Sequence, residues 1–311
     1  MTDYIFIVNP SAGKADRTEA ITSAVKNLKV EGNVEVYTSK SSDDCIRFVV
    51  DRLQSIQNDV RLYACGGDGT FCAVLNGVYQ SGRTGVEIGC IPTGSGNDFL
   101  RSFPIEASRF RSIKDMAEGT AKPFDIIRVT SASGKVLVCC NIVSAGFDAD
   151  VCRNIEDIRR MPLVSGVNAY RLSVVKTLLS HLGHSFTVIA DGKEIANEQK
   201  KEYLFALAAN GKFYGGGYKP SPESEMDDGK LDMVLIEKLS RLQFLGLLGK
   251  YRTGDYLAVE KMKEKIVYTP VHNMQILCDK PIDINLDGEV IAFKDPIIEI
   301  IPRGMNFILP A

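Results

Sequence analysis

The chain has no excess of charge of one sign. Its 37 Lys and Arg stand against 39 Asp and Glu, a net charge of −2. Nucleic acid is therefore not expected as a bulk partner, since that needs a strongly basic face. No C-x-x-C pair occurs among the eight cysteines, and only three histidines are present. Zinc-ligand spacing is missing. His181 and His184 lie three apart on an expected helix, with His272 the one further histidine, and read as a solvated or packed pair. Most cysteines sit in apolar runs and read as buried, reduced thiols of a cytoplasmic protein. The opening MTDYIFIVNP has no basic region and no cleavage signature, so it does not read as a signal peptide. No run nears the ~20 apolar residues of a membrane-spanning helix. Internal repeats and low-complexity segments are absent as well. These absences leave a soluble globular chain, at most peripheral on a membrane.

With 311 residues, 45% hydrophobic and 24% charged, two domains are the default expectation. Apolar runs at Tyr4–Val8, Val34–Tyr37, Arg61–Cys65 and Glu87–Ile91 read as strands. Helical spacing lies between them: Ile21, Ala24, Val25 and Leu28, then Ile46, Val49, Val50, Leu53 and Ile56 behind a capping Ser42. A third set follows Thr70. Regular alternation predicts a doubly wound parallel sheet, an α/β nucleotide-binding domain over residues 1–124. The pattern then changes. Residues 125–301 read as strand after strand, an antiparallel β-rich domain built as a sandwich or an open barrel. One long helical stripe interrupts it, with Val167, Tyr170, Val174, Val175, Leu178 and Leu182 on one side. A second helix is expected near Gln243–Tyr256. The apolar tail over residues 302–311 is free to return to the first domain.

Three polar loops directly follow strands of the first domain: NPSAGK (Asn9–Lys14), GGDGT (Gly66–Thr70) and PTGSGND (Pro92–Asp98). In a parallel sheet all three open on one edge, where ligands bind. Glycines let backbone N–H groups approach phosphate oxygens, and a following helix N-terminus adds partial positive charge. Lys14 and the hydroxyls of Ser11, Thr70 and Ser95 supplement those groups. Known phosphate loops do not fit. A Walker A loop needs a glycine where Val8 stands, and G-x-G-x-x-G is absent. Tight turns alone would explain one such loop, but explain three on one edge less well. Asp68 is the puzzle, because a carboxylate repels phosphate unless a cation lies between them.

These three motifs, followed by GFDADV, DDGKLD and LDGE in order, resemble the diacylglycerol kinase catalytic-domain family, which includes bacterial lipid kinases and sphingosine kinases. The resemblance implies an NAD kinase/diacylglycerol kinase-like fold and ATP-dependent phosphorylation of a lipid hydroxyl, with diacylglycerol the expected acceptor. It implies a nucleotide held in the cleft between two domains. Asn9, Pro10, Ser11, Gly13, Lys14, Thr38, Gly66, Gly67, Asp68, Gly69, Thr70, Gly94, Ser95 and Asn97 carry over as nucleotide-binding positions. Asp68, Asp98 and Glu289 carry over as catalytic ones. Asp68 would work with Mg2+ and ordered water near the triphosphate, since a divalent cation inverts the local electrostatics. Glu289 would accept the proton of the attacking hydroxyl. The same LDGE stretch also reads as a two-residue hairpin turn centred on Asp287-Gly288. The dense acidic stretch from Pro222 to Asp232 lacks EF-hand spacing and resembles the family's structural magnesium loop. Asp228 would be its side-chain ligand, helped by the carbonyls of Glu225 and Lys230. The GGG of Gly215–Gly217 reads as a strand connection.

A lipid acceptor needs an apolar wall with one polar end, and the stretch from Asp150 to His184 is the candidate. Arg153, Arg159, Arg160 and Arg171 there either face anionic headgroups at a transient peripheral membrane contact or are simply solvated. A homodimer is left open. NAD kinase is a rival, since it shares a GGDG-type loop. Its Asn-Glu motif has no counterpart in suitable context, as Asn197-Glu198 lies in a polar loop. A nucleotide-binding regulator without catalysis is a second rival, and it would not need Lys14, Asp68, Asp98 and Glu289 together.

Overall fold

The computed structural model describes residues 1–94, 96–159, 167–180, 182–196 and 201–311. It divides into two compact units, Met1–Ile126 with Pro302–Ala311, and Ile127–Ile301.

The first unit is the parallel α/β domain. β1 (Thr2–Val8), β2 (Gly32–Thr38), β3 (Asp59–Gly66) and β4 (Glu87–Pro92) lie in the order β2-β1-β3-β4, all parallel. The helices α1 (Thr18–Lys26), α2 (Ser42–Ser55) and α3 (Asp68–Ser81) alternate with them. Ser41, one residue before the expected cap, accepts the Asp44 N–H and starts α2. α2 and α3 pack closely because Gly77 has no side chain. A Cβ there would stand 2.6 Å from Cβ of Val49. The chain end belongs to this unit. Asn306 and Phe307 pair in parallel with Glu87 and Ile88. Phe307 is fully buried and stacks on Phe103 at 5.3 Å between centroids. It meets Phe71 and Phe99 edge-on.

Two short helices, α4 (Ala107–Arg111) and α5 (Ile113–Ala117), lead to β5 (Thr120–Thr130) and the second unit. There follow β6 (Val136–Cys139), β7 (Ile142–Gly146), α6 (Phe147–Arg159), α7 (Val167–Leu179), β8 (Thr187–Ala190), β9 (Lys193–Ala196), β10 (Tyr203–Ala209) and β11 (Leu231–Glu237). Then come α8 (Arg241–Thr253), β12 (Ile266–Val271), β13 (Asn273–Leu277), β14 (Ile282–Leu286), β15 (Glu289–Phe293) and β16 (Ile297–Leu309). One antiparallel sheet runs β12-β11-β10-β7-β14-β15. β13 pairs antiparallel with the start of β16 and with β8, and β8 with β9. Phe147 and Val151 of α6 and Phe244 and Leu247 of α8 join Leu207, Val234 and Ile236 in one core.

Three local expectations change. α8 begins at Arg241, two residues before the expected start, behind a Ser240–Gln243 capping box. His184 is not helical: it bridges to Tyr203, and its Nε2 lies 3.1 Å from Asp150. His181, Arg160, Asn197 and Glu198 lie outside the described residues. The apolar stripe read from spacing holds at Val174, Leu178 and the following Leu182 but not at Val175, and the side chains of Val167 and Tyr170 lie outside those described. Val174 and Leu178 do pack on the core, but Val175 is half exposed, and Ser173 and Thr177 are fully buried. Hydroxyls make that burial affordable, because Ser173 donates to Val151 O and Thr177 to Ser173 O.

Phe307→Ala is expected to cost about 3–5 kcal/mol, since it leaves a cavity among aromatic rings. Chemical denaturation checks this, and a loss below ~1 kcal/mol would contradict the packing described.

Candidate active site

In the first unit the three glycine loops interlock. Asn9 follows β1 and gives its N–H to Cys65 O. Its side-chain N–H donates to Thr70 Oγ1 at 3.0 Å, and its Oδ1 accepts the Ser11 N–H at 3.0 Å. Gly13 has φ 84, and a Cβ on it would stand 2.3 Å from the Thr93 carbonyl oxygen. Thr93 and Gly94 both donate N–H to Gly66 O. A Cβ on Gly94 would stand 2.8 Å from Cα of Gly67. Bare backbone is thus required at both crossings. Gly67 is the N-cap of α3, so Asp68 is its first residue and Gly69 and Thr70 complete the opening turn. Acid at that position suits the positive helix end.

Asp68 Oδ2 accepts the Asp98 N–H at 3.1 Å. Asp98 is buried, and its carboxylate accepts from Arg101 Nε at 2.9 Å. Asn97 donates to Gly94 O at 3.2 Å, while its Oδ1 is buried without a hydrogen-bond partner. Ser11 and Lys14 are exposed beside this edge, and Thr38 is the exposed last residue of β2. Pro10, between Asn9 and Ser11, is half-buried. Ser95 lies outside the described residues.

In the second unit Asp287 and Gly288 form the two-residue turn between β14 and β15, with φ 49 and 102. Positive φ at both central positions is the geometry of a hairpin with matching twist. Asp287 accepts three backbone N–H groups, from Ile142 at 2.7 Å, Cys140 at 3.0 Å and Asn141 at 3.2 Å. Burial nevertheless holds its pKa above the usual carboxylate range, against those donors. Glu289 is exposed at the start of β15.

The acidic loop is tied to β12 through Tyr268, whose hydroxyl bonds Ser221 Oγ at 2.9 Å and accepts the Glu223 N–H at 3.3 Å. Asp228 is exposed and accepts the Lys230 N–H at 3.0 Å. Burial raises the pKa of Asp232, and the charges of Asp228 and Glu223 raise it further. The carbonyls of Glu225 and Lys230 with the Asp228 carboxylate are hard oxygen donors, and the crowded negative charge would be relieved by a cation. Both features suit magnesium. Among the described residues no three His, Cys, Asp or Glu side chains converge on one point. A cation here would therefore rest on one carboxylate and backbone carbonyls. Gly215, Gly216 and Gly217, all at positive φ, close a tight connection in which Tyr214 and Tyr218 exchange backbone hydrogen bonds.

Residues 3–129 match the Diacylglycerol kinase catalytic domain, and residues 141–309 match the YegS C-terminal NAD kinase beta sandwich-like domain. The chain belongs to this diacylglycerol kinase-like family. A Staphylococcus aureus (strain JH9) protein provisionally named a lipid kinase is 25% identical over 303 residues, covering 96% of this chain and 92% of that protein. Two solved structures from Bacillus anthracis (strain Sterne) share the fold. One, described provisionally as a diacylglycerol kinase, superposes with a TM-score of 0.72 at 19% identity, over 98% of this chain and 96% of that one. The other, described as a diacylglycerol kinase, gives 0.65 at 17% identity over the same shares.

Within this family framework the structure joins the three loops of the first unit through named contacts, and places the LDGE turn and the acidic loop in the second unit. It also draws in residues that motif reading passed over. Arg101 anchors Asp98, and Asn285 accepts the Gly288 N–H at 2.8 Å. Ser144 lies opposite Asn285 across β7 and β14. Only the position of Asn285 directly before the LDGE stretch hinted at such a role.

Asp287→Ala is expected to cost at least ~3 kcal/mol, because three N–H groups lose their acceptor and alanine is strained at positive φ. Denaturation of Asp287→Ala beside Asp287→Asn checks this, and the asparagine form should recover part of the loss.

Proposed function

We propose that the chain transfers the terminal phosphoryl group of ATP to the hydroxyl of diacylglycerol, giving phosphatidic acid, with magnesium required. The observation that carries this reading is the Asp68 carboxylate. It sits at the first position of α3 within a glycine loop, fastened to the third loop through the Asp98 N–H. An anion-binding edge with one fixed carboxylate suits a phosphate accompanied by a cation. The N–H groups of the three loops, with Ser11, Lys14, Thr70 and Asn97, would hold the triphosphate, and Thr38 the rest of the nucleotide. Asp98, buried and held by Arg101, serves as a positioning residue for the third loop.

Roles are divided over the two units. Glu289 takes the proton of the attacking hydroxyl, while Asp287 fixes the turn that carries it. Such a base need not be strong, because phosphoryl transfer depends chiefly on positioning and charge neutralisation. Magnesium in the acidic loop would be held by Asp228 and the carbonyls of Glu225 and Lys230, and would supply positive charge that fastens the loop. A lipid acceptor brings the chain to a membrane surface as a peripheral contact. No helix among the described residues is long and apolar enough to cross one. The free cysteines, nearly all buried, suit a reducing, cytoplasmic setting.

The test is transfer of labelled terminal phosphate from magnesium-ATP to a panel of lipids in mixed micelles, with NAD as a control. Labelled phosphatidic acid is the expected product. Product from NAD alone would overturn the reading. Asp68→Ala should abolish transfer and keep the fold. Glu289→Gln should lower kcat by ~100-fold or more with ATP binding unchanged, and full activity would remove Glu289 from the role of base. Asp228→Ala should flatten the rise of melting temperature with added magnesium. An unaltered magnesium response would exclude that loop as a metal site.

A further inference from the structure

α7 faces the wrong way for a helix lying against water. Ser173 and Thr177 are fully buried, while Leu172, Val175 and Leu179 are 44%, 50% and 71% exposed. With the exposed Lys176 these three fall at i, i+3, i+4 and i+7, one stripe along the outer side. α8 repeats the pattern. Phe244, Leu247 and Tyr251 are buried, and the opposite side carries Leu242 and Leu245, 83% and 52% exposed. Gly246 and Gly249 complete the same spacing there, and both are exposed. A Cβ on either glycine would meet nothing, so packing within the chain does not call for them. The two stripes adjoin. Arg241 at the start of α8 donates from Nε to Leu178 O and from Nη2 to Leu179 O and Ser180 O, which ties the end of α7 to it. Leu182, Lys238, Leu239 and Leu242 line a cleft of about 300 Å³ at that junction.

Charge around these helices has one sign. Residues 158–190 and 238–254 hold eight Lys and Arg and no Asp or Glu, in a chain whose overall balance is −2. Lys176, Arg241, Lys250 and Arg252 of the two helices are exposed. Lys238 is paired with Glu202, and Arg153 of α6 with Asp283, so those two are already matched. The side chains of Arg159, Arg160 and Arg171 lie outside those described.

We propose that the outer faces of α7 and α8 form a docking surface for an anionic bilayer, with the leucines entering the acyl boundary and the basic side chains meeting headgroup phosphates. The choice of a bilayer as occupant rests on the kinase reading above, since a lipid acceptor is delivered from one. Contiguous apolar stripes cost free energy in water and mark surfaces that something covers. Leucines flanked by Lys and Arg on a helix are the pattern that settles in a membrane interface, and each basic residue near an anionic surface strengthens the contact. A second copy of the chain fits less well, because a two-fold contact through this face would set positive charge against positive charge.

The experiment is sedimentation of the full chain with vesicles of phosphatidylcholine alone, or of equal parts phosphatidylcholine and phosphatidylglycerol, without ATP and without diacylglycerol. Binding is expected to the anionic vesicles and should weaken as salt is raised. Val175→Gln/Leu179→Gln and Leu242→Gln/Leu245→Gln should each lower the vesicle partition about tenfold or more, with melting temperatures that match wild type. Lys250→Gln/Arg252→Gln should lower it about tenfold on the anionic vesicles. The chain has no tryptophan, so Leu242→Trp reports its own surroundings. Its emission should shift to the blue on anionic vesicles and be quenched by brominated acyl chains, whereas Val34→Trp on β2 of the first unit should not respond. Unchanged partition in both double leucine-stripe variants, or a silent Leu242→Trp, overturns the proposal. So does a wild type that leaves anionic vesicles unbound. A concentration-dependent dimer that both variants dissolve would give the face to a second copy and overturn it as well. No ATP or acceptor enters this assay, so failure of the kinase reading shows instead in the transfer assay above, with vesicle binding intact.

Discussion

Aspartate carboxylates turned onto backbone N–H groups hold the irregular parts of this chain. A buried N–H without an acceptor costs about as much as a lost hydrogen bond, and a carboxylate can satisfy several at once. Asp68 takes the N–H of Asp98, and Asp287 takes those of Cys140, Asn141 and Ile142. Asp191 takes those of His272 and Asn273, and Asp295 that of Cys278. Among the described residues, the non-glycine positions with positive φ are Asp191, Asp287, Asp295 and Arg303. The three aspartates thus sit at tight turns and each grips a neighbouring segment. Short acidic side chains tolerate that backbone better than most, and the hydrogen bonds offset its strain.

This device separates two roles within LDGE. Asp287 is engaged by three backbone N–H groups, while Glu289 is exposed at the start of β15. Asp68 is likewise engaged with the third loop through the Asp98 N–H. Precise placement of charge is the requirement that phosphoryl transfer makes of a protein.

Much of the first unit was legible in the sequence. Runs such as Ile5–Val8 and the 3.6-residue spacing of α2 can satisfy themselves in one way only, and the three loops follow from strand ends. The antiparallel character of the second unit and the turn at Asp287-Gly288 were also readable. The inward face of α7 was not. Apolar spacing favoured Val175, yet Ser173 and Thr177 are buried because their hydroxyls find carbonyl partners. Such bonds are invisible to periodicity. His184 was misread as helical for a related reason, since its strand-like bridge depends on Tyr203. The path from Gly288 through Asn285 to Ser144 joins distant segments, so only a tertiary structure could reveal it. The same holds for the contact of Gly13 with Thr93.

The central claim is that the three glycine loops of the first unit act as one phosphate-binding edge. The most direct measurement is amide hydrogen exchange over residues 9–14, 66–70 and 93–98, with and without magnesium-ATP. The account predicts that all three segments slow together when the nucleotide binds. Bound ATP with unchanged exchange in all three would contradict it.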